Sequence, residues 1–257
     1  MAEVVVLGGA SAAPNPGQGC SGYLVSTDHA RLVLDLGPGT LPELRCHCTI
    51  ASIDGIIISH LHVDHILDLV ALWWGWLYHP LPLARPIPLW LPPGGIDHVT
   101  RILAAFGRAD EVAAFFTRVC SVTEFDPKQT ISIAGASVSF AATAHFIPCW
   151  AIRVASAQGA VAYTADTGPA ANLVPIAHDA DVLIAEAMLP LGSFNESPNR
   201  GSSTAIEAAQ LARESGAKRL VLTHLWAEYD ADVSRTEAAQ IFSGPIEIAI
   251  RGLKIRW

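Results

Sequence analysis

Charge is scarce in this sequence, and no stretch contains several consecutive basic residues. Only 16% of the 257 residues are charged, and 24 Asp and Glu outnumber 16 Lys and Arg, so the net charge is −8 with histidine neutral. Nucleic-acid backbones are bound through clusters of Lys and Arg that release counterions. The composition therefore argues against a nucleic-acid partner, and we expect a small-molecule substrate.

Long hydrophobic runs are also absent. The uncharged stretch from Leu69 to Tyr78 is about half of the roughly 20 residues that a membrane-spanning helix requires. The first residues contain no basic region of the kind that opens a signal peptide. We therefore expect a cytoplasmic protein with no membrane partner.

Cysteine is sparse, and its odd number does not suit a disulfide framework. The five cysteines are scattered along the chain, as is typical of reduced thiols in a reducing compartment. Hydrophobic residues make up 51% of the sequence, and a chain of this length buries about three quarters of its unfolded surface. The fold therefore needs neither a disulfide nor a structural metal, and a bound metal would serve chemistry.

Short apolar runs bounded by glycine and proline predict strands in both halves of the chain, with helices after them. Two helices are predicted from capping boxes, Thr204-x-x-Glu207 and Ser234-x-x-Glu237. A last strand, Ile246–Ile250, is predicted to end the chain. Strands followed by helices, and then the same order again, indicate an α/β fold, a four-layer αββα sandwich in one domain over residues 1–257.

The segment His60-Leu-His62-Val-Asp64-His65 directly follows a wholly apolar predicted strand. The carboxyl end of such a strand is where α/β folds place their sites, and the composition predicts only about 10⁻³ chance matches to this pattern. His60 and His62 lie two residues apart on an extended segment, so they share one side and suit one divalent ion. Asp64 and His65 turn towards a second ion. The segment therefore predicts ligands for two metals.

Three further candidate ligands follow or interrupt later apolar strands: His145, Asp166 and His224. Each alone is typical of a hydrogen-bonded core residue, but together with the first motif they supply the three or more ligands that each ion needs. Imidazole and carboxylate donors without a thiolate suit Zn²⁺ and also admit Mn²⁺ or Fe²⁺. We expect two divalent metal ions, with zinc as the first choice.

The complete ligand set, in this order, resembles the metallo-β-lactamase superfamily. Within it the chain is similar to the ribonuclease Z and cyclic-phosphodiesterase branch through Leu34–Thr40, Ile58–His65, Thr143–Trp150 and Gly201–Ala205. The resemblance covers nearly the whole chain and implies a metallo-β-lactamase-like form of the four-layer sandwich. It also implies the ligands of each ion: His60, His62 and His145 for the first, Asp64, His65 and His224 for the second, and Asp166 as the bridge.

Departures from ribonuclease Z are as informative as the matches. The resemblance places a histidine where this chain has Ala185 and another where it has Ser202. The long basic arm before the strand of the bridging aspartate is missing, because only a short segment separates Val154 from Val161. We therefore expect that tRNA is not a substrate. Glu186 lacks its usual histidine partner, so it is either a structural residue or a polar wall of the pocket.

Other residues near the motifs receive supporting roles. Asp35 ends a strand, and we expect its carboxylate to accept a hydrogen bond from a metal-bound imidazole or a loop N–H. Ser202 precedes a predicted helix and either hydrogen-bonds a substrate anion or simply caps the helix or forms a turn. The aromatic residues from Trp73 to Tyr78 are interpreted as core packing plus a homodimer interface, with an apolar pocket wall as the alternative.

These observations predict a dinuclear metal hydrolase in which Asp64 is the catalytic residue that accepts or relays the proton of the attacking water. The expected substrate is a small or cyclic phosphodiester, and lactones, thioesters and sulfate esters are alternatives. Substrates with good leaving groups are favoured, because no residue is assigned to protonate the leaving group. A non-catalytic member that binds a metabolite is the second functional class.

Overall fold

Alternating apolar side chains of the first strand pack on both faces of a sheet. In β1 (Glu3–Gly8), Val4 and Val6 lie between two sheets, whereas Val5 and Leu7 pack against helices. Successive strand residues point to opposite faces, so an uninterrupted apolar run is buried on both sides. The computed structural model describes residues 2–190, 192 and 200–257.

The other strands of the first half are β2 (Gly22–Ser26), β3 (Arg31–Leu34), β4 (Gly55–Ile57), β5 (Ile87–Leu91) and β6 (Cys120–Glu124). Those of the second half are β7 (Ile131–Ile133), β8 (Ala136–Ala142), β9 (Trp150–Ser156), β10 (Gly159–Tyr163), β11 (Val182–Glu186), β12 (Leu220–Thr223), β13 (Ile246–Ile248) and β14 (Lys254–Arg256). In the described residues they form two mixed seven-stranded sheets, ordered β14-β1-β2-β3-β4-β5-β6 and β13-β12-β11-β10-β9-β8-β7. Pairing is parallel from β3 to β6 and from β10 to β13.

Helices cover the outer face of each sheet. The first sheet carries α1 (Thr40–His47), α2 (Val63–Ile66), α3 (Asp68–Leu77), α4 (Gly95–Ala104) and α5 (Ala109–Ala114). The second carries α6 (Val174–Ala177), α7 (Ala205–Ser215) and α8 (Ala231–Ala239). Three buried apolar clusters fill the spaces between these layers: one between the sheets, one under the helices of the first sheet and one under those of the second. The predicted four-layer αββα sandwich is thus confirmed, and it is the metallo-β-lactamase fold.

Two local predictions were wrong. The capping box at Ser234 does not begin a helix, because α8 starts one turn earlier, where the Asp230 side chain accepts the N–H of Asp232. The strand at Ile246 ends at Ile248, and the chain continues into β14, which pairs antiparallel with β1. By contrast, the Thr204 capping box is present at the start of α7.

The described residues bear on three further expectations. No helix among them is long and apolar enough to cross a membrane. All five cysteines are free thiols. In the aromatic segment, Trp73 is fully buried, whereas Trp74 and Tyr78 are exposed. The homodimer interface stays a prediction.

Candidate metal centre

The end of β4 supplies the first group of predicted ligands. His60 follows β4, and His62, in extended backbone, directly precedes the one-turn helix α2, which carries Asp64 and His65. Both ligand candidates of this short helix are buried. One segment of the chain can therefore present four side chains to the same space.

Strand ends of the second sheet supply the remaining candidates. His145 lies in the connection between β8 and β9, Asp166 follows β10, and His224 directly follows β12. Since parallel strands end at the same edge of a sheet, these residues meet the first group where the two sheets face each other. The structure thus brings all seven predicted ligands together in two clusters.

The first cluster contains His60, His62, His145 and Asp166, and one donor atom of each lies within 4.8 Å of the others. Nε2 of His60 is 3.2 Å from Nδ1 of His62, and Nε2 of His145 is 3.0 Å from that same nitrogen. Oδ2 of Asp166 lies 3.7 Å from Nε2 of both His60 and His145. Two ligands of a tetrahedral ion with bonds of about 2.0 Å lie about 3.3 Å apart, so these separations suit one ion.

The second cluster contains Asp64, His65, His224 and again Asp166. Oδ2 of Asp64 is 3.2 Å from Nε2 of His65 and 3.1 Å from Nε2 of His224. Oδ1 of Asp166 is 3.3 Å from Nε2 of His65, while its Oδ2 is 3.5 Å from Nε2 of His224. Asp166 is therefore shared by both clusters.

Hydrogen bonds on the outer side of three rings fix which nitrogen carries the proton. Nδ1 of His65 donates to Oδ2 of Asp35 at 2.8 Å, and Nδ1 of His145 donates to the carbonyl of Gly201 at 2.7 Å. Nδ1 of His60 donates to the hydroxyl oxygen of Ser59 at 3.0 Å, since that hydroxyl donates its own hydrogen to Asp35. In each ring Nε2 then carries no hydrogen, and its lone pair faces the other donor atoms of its cluster.

These unprotonated nitrogens indicate whether metal ions would fit between the side chains. The buried Nε2 of His65 has no hydrogen-bond partner, although two carboxylate oxygens lie close to it. Lone pairs of several imidazoles and carboxylates facing one another at about 3 Å repel unless cations lie between them. The two buried His/Asp clusters are consistent with a binuclear metal site.

The protonation states of His60 and Asp64 agree with this interpretation. Burial lowers the pKa of His60 well below its ordinary value, and the neighbouring His65 lowers it further. Burial opposes ionisation of Asp64, but the neighbouring His224 and His65 outweigh it and hold the pKa of Asp64 below its usual range. Neutral imidazoles and ionised carboxylates are the forms that bind metal.

Asp35 lies where the sequence predicted a support for a metal-bound imidazole. Its fully buried carboxylate accepts four hydrogen bonds: from the backbone N–H and hydroxyl of Ser59, from Nδ1 of His65 and from the hydroxyl of Tyr163. Tyr163, at the end of β10, was not singled out from the sequence. No local pattern could have identified it, because the contact joins residues far apart in the chain.

Glu186 ends β11 beside the second cluster. Its Oε2 accepts the N–H of Thr167 at 2.6 Å, which braces the loop after Asp166, and its Oε1 lies 3.5 Å from Nδ1 of His224. Burial raises the pKa of Glu186 to about 7. Ser11, another residue that the sequence did not indicate, places its hydroxyl 3.5 Å from the same His224 nitrogen. Glu186 therefore contacts the loops that carry Asp166 and His224, and its role as a polar wall of the pocket stays a prediction.

Ser202 is buried next to the metal-ligand loops without capping α7. The helix cap is Thr204, whose hydroxyl accepts the N–H of Glu207, so the interpretation of Ser202 as a helix cap was wrong. The Ser202 hydroxyl instead donates weakly to the sulfur of Met188 at 3.6 Å. Its contact with a substrate anion stays a prediction.

Backbone strain is concentrated at this edge. Asp35, Ala165 and His224 have φ values of 58°, 52° and 62°, in the left-handed region that non-glycine residues seldom adopt. Each lies just after a strand. Asp35 and His224 themselves belong to the centre, and Ala165 directly precedes Asp166. Such strain persists where surrounding contacts impose it, and it is common at functional sites.

Comparison with known proteins agrees with the geometry. The family model described as the beta-lactamase superfamily domain matches residues 30–225. The chain belongs to the metallo-β-lactamase superfamily. It is 28% identical over 254 residues to YhfI of Bacillus subtilis, named a probable metallo-hydrolase, covering 97% of this chain and 98% of that protein. The crystal structure of YhfI superimposes with a TM-score of 0.84 at 26% identity, covering 99% of this chain and 98% of the other.

More distant superfamily members extend the relationship. Ribonuclease Z of Haloferax volcanii is 27% identical over 296 residues, covering 97% of this chain and 93% of that enzyme. A diphosphatase of the PhnP family shares the fold with a TM-score of 0.71 at 20% identity, covering 100% and 98% of the two chains. The chain is thus similar to YhfI and to ribonuclease Z, and it shares its fold with the PhnP-family diphosphatase. With its buried His/Asp centre, it is a probable metal-dependent hydrolase.

Proposed function

We propose that this protein hydrolyses small or cyclic phosphodiesters with two divalent metal ions, zinc in the first instance. The observation that carries the proposal is the pair of clusters joined by Asp166. Within each cluster the donor atoms lie within 4.8 Å of one another. Two ions bound there would supply Lewis acidity and lower the pKa of water towards neutrality.

The ligand rings hold this arrangement before any substrate arrives. His60, His65 and His145 are each fixed through Nδ1, so their Nε2 atoms need little reorganisation to bind cations. The nitrogen and oxygen donors suit zinc and also manganese or iron.

Asp64 is the proposed proton acceptor. Its Oδ2 faces Nε2 of His65 and of His224 within the second cluster, which leaves Oδ1 to accept a proton from the attacking water. Ser202 and its neighbour Met188 offer no acid for the leaving group. Esters whose leaving groups depart without protonation are therefore the proposed substrates.

Two lines of support favour a small phosphodiester over tRNA. The names ribonuclease Z, diphosphatase and yeast PDE1 among similar proteins point to phosphate chemistry. The connection between β9 and β10 is a short turn, Ala157-Gln158, in place of a basic arm, and the net charge is −8.

Metal analysis and turnover test the proposal together. We expect about two metal ions per chain and hydrolysis of bis(p-nitrophenyl) phosphate, which is lost in His62→Ala. His178→Ala is the matched control, because the exposed side chain of His178 pairs with Asp179 and with no ligand of either cluster. Hydrolysis of a lactone, thioester or sulfate ester without hydrolysis of the phosphodiester would show that the substrate belongs to that other ester class. Metal binding with no hydrolysis of any ester would refute the enzymatic proposal and favour a metabolite-binding protein.

A further inference from the structure

The segment that follows His224 pairs with the loop between β1 and β2. The N–H of Leu225 donates to the carbonyl of Gly9 at 3.1 Å, and the N–H of Ser11 donates to the carbonyl of Leu225 at 3.3 Å. These hydrogen bonds form an isolated parallel bridge between Leu225 and Ala10. A loop from the first half of the chain therefore holds the backbone directly after a predicted metal ligand.

The side-chain amide of Asn15, in the same loop, binds this segment at two points. Its Nδ2 donates to the carbonyl of Leu225 at 2.9 Å, and its Oδ1 accepts the N–H of Ala227 at 3.1 Å. An asparagine amide offers both a donor and an acceptor, so one side chain pairs with the backbone as a neighbouring strand would. Asn15 therefore holds residues 225–227 in place.

A tight turn sets the position of this amide. Residues 15–18 read Asn-Pro-Gly-Gln, the N–H of Gln18 donates to the carbonyl of Asn15 at 3.0 Å, and Gly17 has φ 77°. Proline at the second position and a glycine with positive φ at the third are typical of a type II turn. Because proline also fixes its own φ, the turn presents Asn15 from a stiff backbone.

His224 depends on its backbone for orientation more than the other imidazoles do. The Ser11 hydroxyl and Oε1 of Glu186 each lie 3.5 Å from its Nδ1, at the outer limit of hydrogen bonding. Its φ of 62° is a strained value that a non-glycine residue keeps only where surrounding contacts impose it. By contrast, Nδ1 hydrogen bonds of 2.7–3.0 Å orient three other rings: His60, His65 and His145.

We propose that Asn15 is a positioning residue for the second metal cluster. Through residues 225–227 it holds His224 in the strained backbone that places Nε2 3.1 Å from Oδ2 of Asp64 and 3.5 Å from Oδ2 of Asp166. Loss of this support lets the backbone of His224 relax and turns Nε2 away, which lowers the affinity for the second ion without removing a ligand. The inference rests on the two-metal centre of the proposed function and not on its substrate.

The same turn offers a matched control. Gln18 makes an equivalent pair of contacts in the connection between β13 and β14: its Nε2 donates to the carbonyl of Ala249 at 3.0 Å, and its Oε1 accepts the N–H of Arg251 at 3.1 Å. Asn15→Ala and Gln18→Ala therefore remove comparable hydrogen bonds, and only those of Asn15 adjoin His224. Competition with a chromophoric chelator should show about tenfold weaker metal binding in Asn15→Ala, the lower end of the effect of losing an outer support. Gln18→Ala should bind metal as the wild type does.

Two further readouts separate positioning from a general loss of stability. Turnover of bis(p-nitrophenyl) phosphate by Asn15→Ala should need about tenfold more metal for half-maximal rate and return to the wild-type kcat at saturating metal. In the metal-free protein, the N–H of Leu225 should exchange with solvent faster in Asn15→Ala than in Gln18→Ala, as followed by NMR.

A double-mutant cycle tests whether the effect passes through His224. In a His224→Ala background, Asn15→Ala should cause no further loss of metal affinity, because both substitutions act on the same ligand. Asn15→Asp is a second variant: it keeps the acceptor for Ala227 but places a carboxylate oxygen against the carbonyl of Leu225, so it should bind metal no better than Asn15→Ala.

The outcomes distinguish this inference from the proposed function. Unchanged metal affinity in Asn15→Ala, an equal loss in Gln18→Ala, or additive losses with His224→Ala overturns the positioning role. A wild type that binds no second ion overturns the two-metal centre of the proposed function. Two bound ions without hydrolysis of any ester overturn the enzymatic proposal alone, and the metal affinities of the variants still decide the role of Asn15.

Discussion

Replacing Asp35 by asparagine isolates the hydrogen bonds that orient His65. The backbone at Asp35 has φ 58°, and asparagine adopts this left-handed conformation readily, so the chain path should not change. Oδ2 accepts from the Ser59 hydroxyl, His65 Nδ1 and the Tyr163 hydroxyl, and Oδ1 accepts the Ser59 N–H. An amide has one oxygen, so its NH₂ group must face at least one of these donors.

The less costly orientation keeps the amide oxygen at the Oδ2 position and leaves the Ser59 N–H buried without an acceptor. One such donor costs about 1–3 kcal/mol, and three charge-assisted hydrogen bonds also become neutral ones. We expect the free energy of unfolding to fall by about 3 kcal/mol or more. Loss of an outer carboxylate typically weakens metal binding about 10–100-fold, so the second cluster should lose affinity by that factor.

Metal affinity is measured by competition with a chromophoric chelator, and stability by denaturant unfolding with and without metal. Asp181→Asn is the matched control: Asp181 accepts the Ala160 N–H and a Lys218 ion pair, but it precedes β11, at the end away from the centre. The control should lose stability while keeping its metal affinity. Metal affinity in Asp35→Asn that equals the wild type would refute the role of Asp35.

Three other perturbations probe different parts of the centre. Gly168→Ala places a Cβ 1.7 Å from the carbonyl oxygen of Arg200, so the backbone that leads to Gly201 and holds His145 must move. The free energy of unfolding should fall by about 1–3 kcal/mol. Metal content at the first cluster, measured by mass spectrometry, should also fall. Ser202→His should restore an acid near the leaving group and raise the turnover of alkyl relative to p-nitrophenyl esters by about tenfold or more. Metal removal by a chelator should lower the stability by about 4 kcal/mol when free metal had been about 1,000 times its Kd, which is a drop of about 10 °C in Tm.

Each of these tests has its own contrary outcome. Gly75 in α3 has nothing within 4 Å of an added Cβ, so Gly75→Ala is the control for Gly168→Ala, and equal effects of the two would contradict the packing argument. An unchanged substrate ratio in Ser202→His would show that this position does not reach the leaving group. A Tm that chelation leaves constant would mean that metal binding is not coupled to folding.

The members of the two His/Asp clusters were predictable because their signals are local. His60, His62, Asp64 and His65 lie within one short segment after an apolar strand, and later ligands each follow a strand of the same type. Layer order was also predictable from runs such as Val4–Leu7, which are buried on both faces. The layer order and the cluster residues at strand ends were therefore predictable from sequence patterns.

Features that depend on distant contacts were not accessible. Residues 254–256 form β14 with one buried residue, Ile255, between two exposed basic ones, and only pairing with β1 makes this segment a strand. Tyr163 and Ser11 reach the centre through contacts with Asp35 and His224, far away in the chain. At α8, a good N-cap at Asp230 precedes Ser234 and takes precedence, since it allows a longer helix.

The carboxylate of Asp166, shared by both clusters, would make two metal ions bound there thermodynamically linked. An ion bound at one cluster would restrain the same carboxylate that the other cluster offers to its own ion. By reciprocity, the factor by which the first ion alters the affinity for the second equals the factor by which the second alters the first. Metal titrations should therefore be fitted with a coupling constant between the sites, and a substitution confined to one cluster changes the apparent affinity of both.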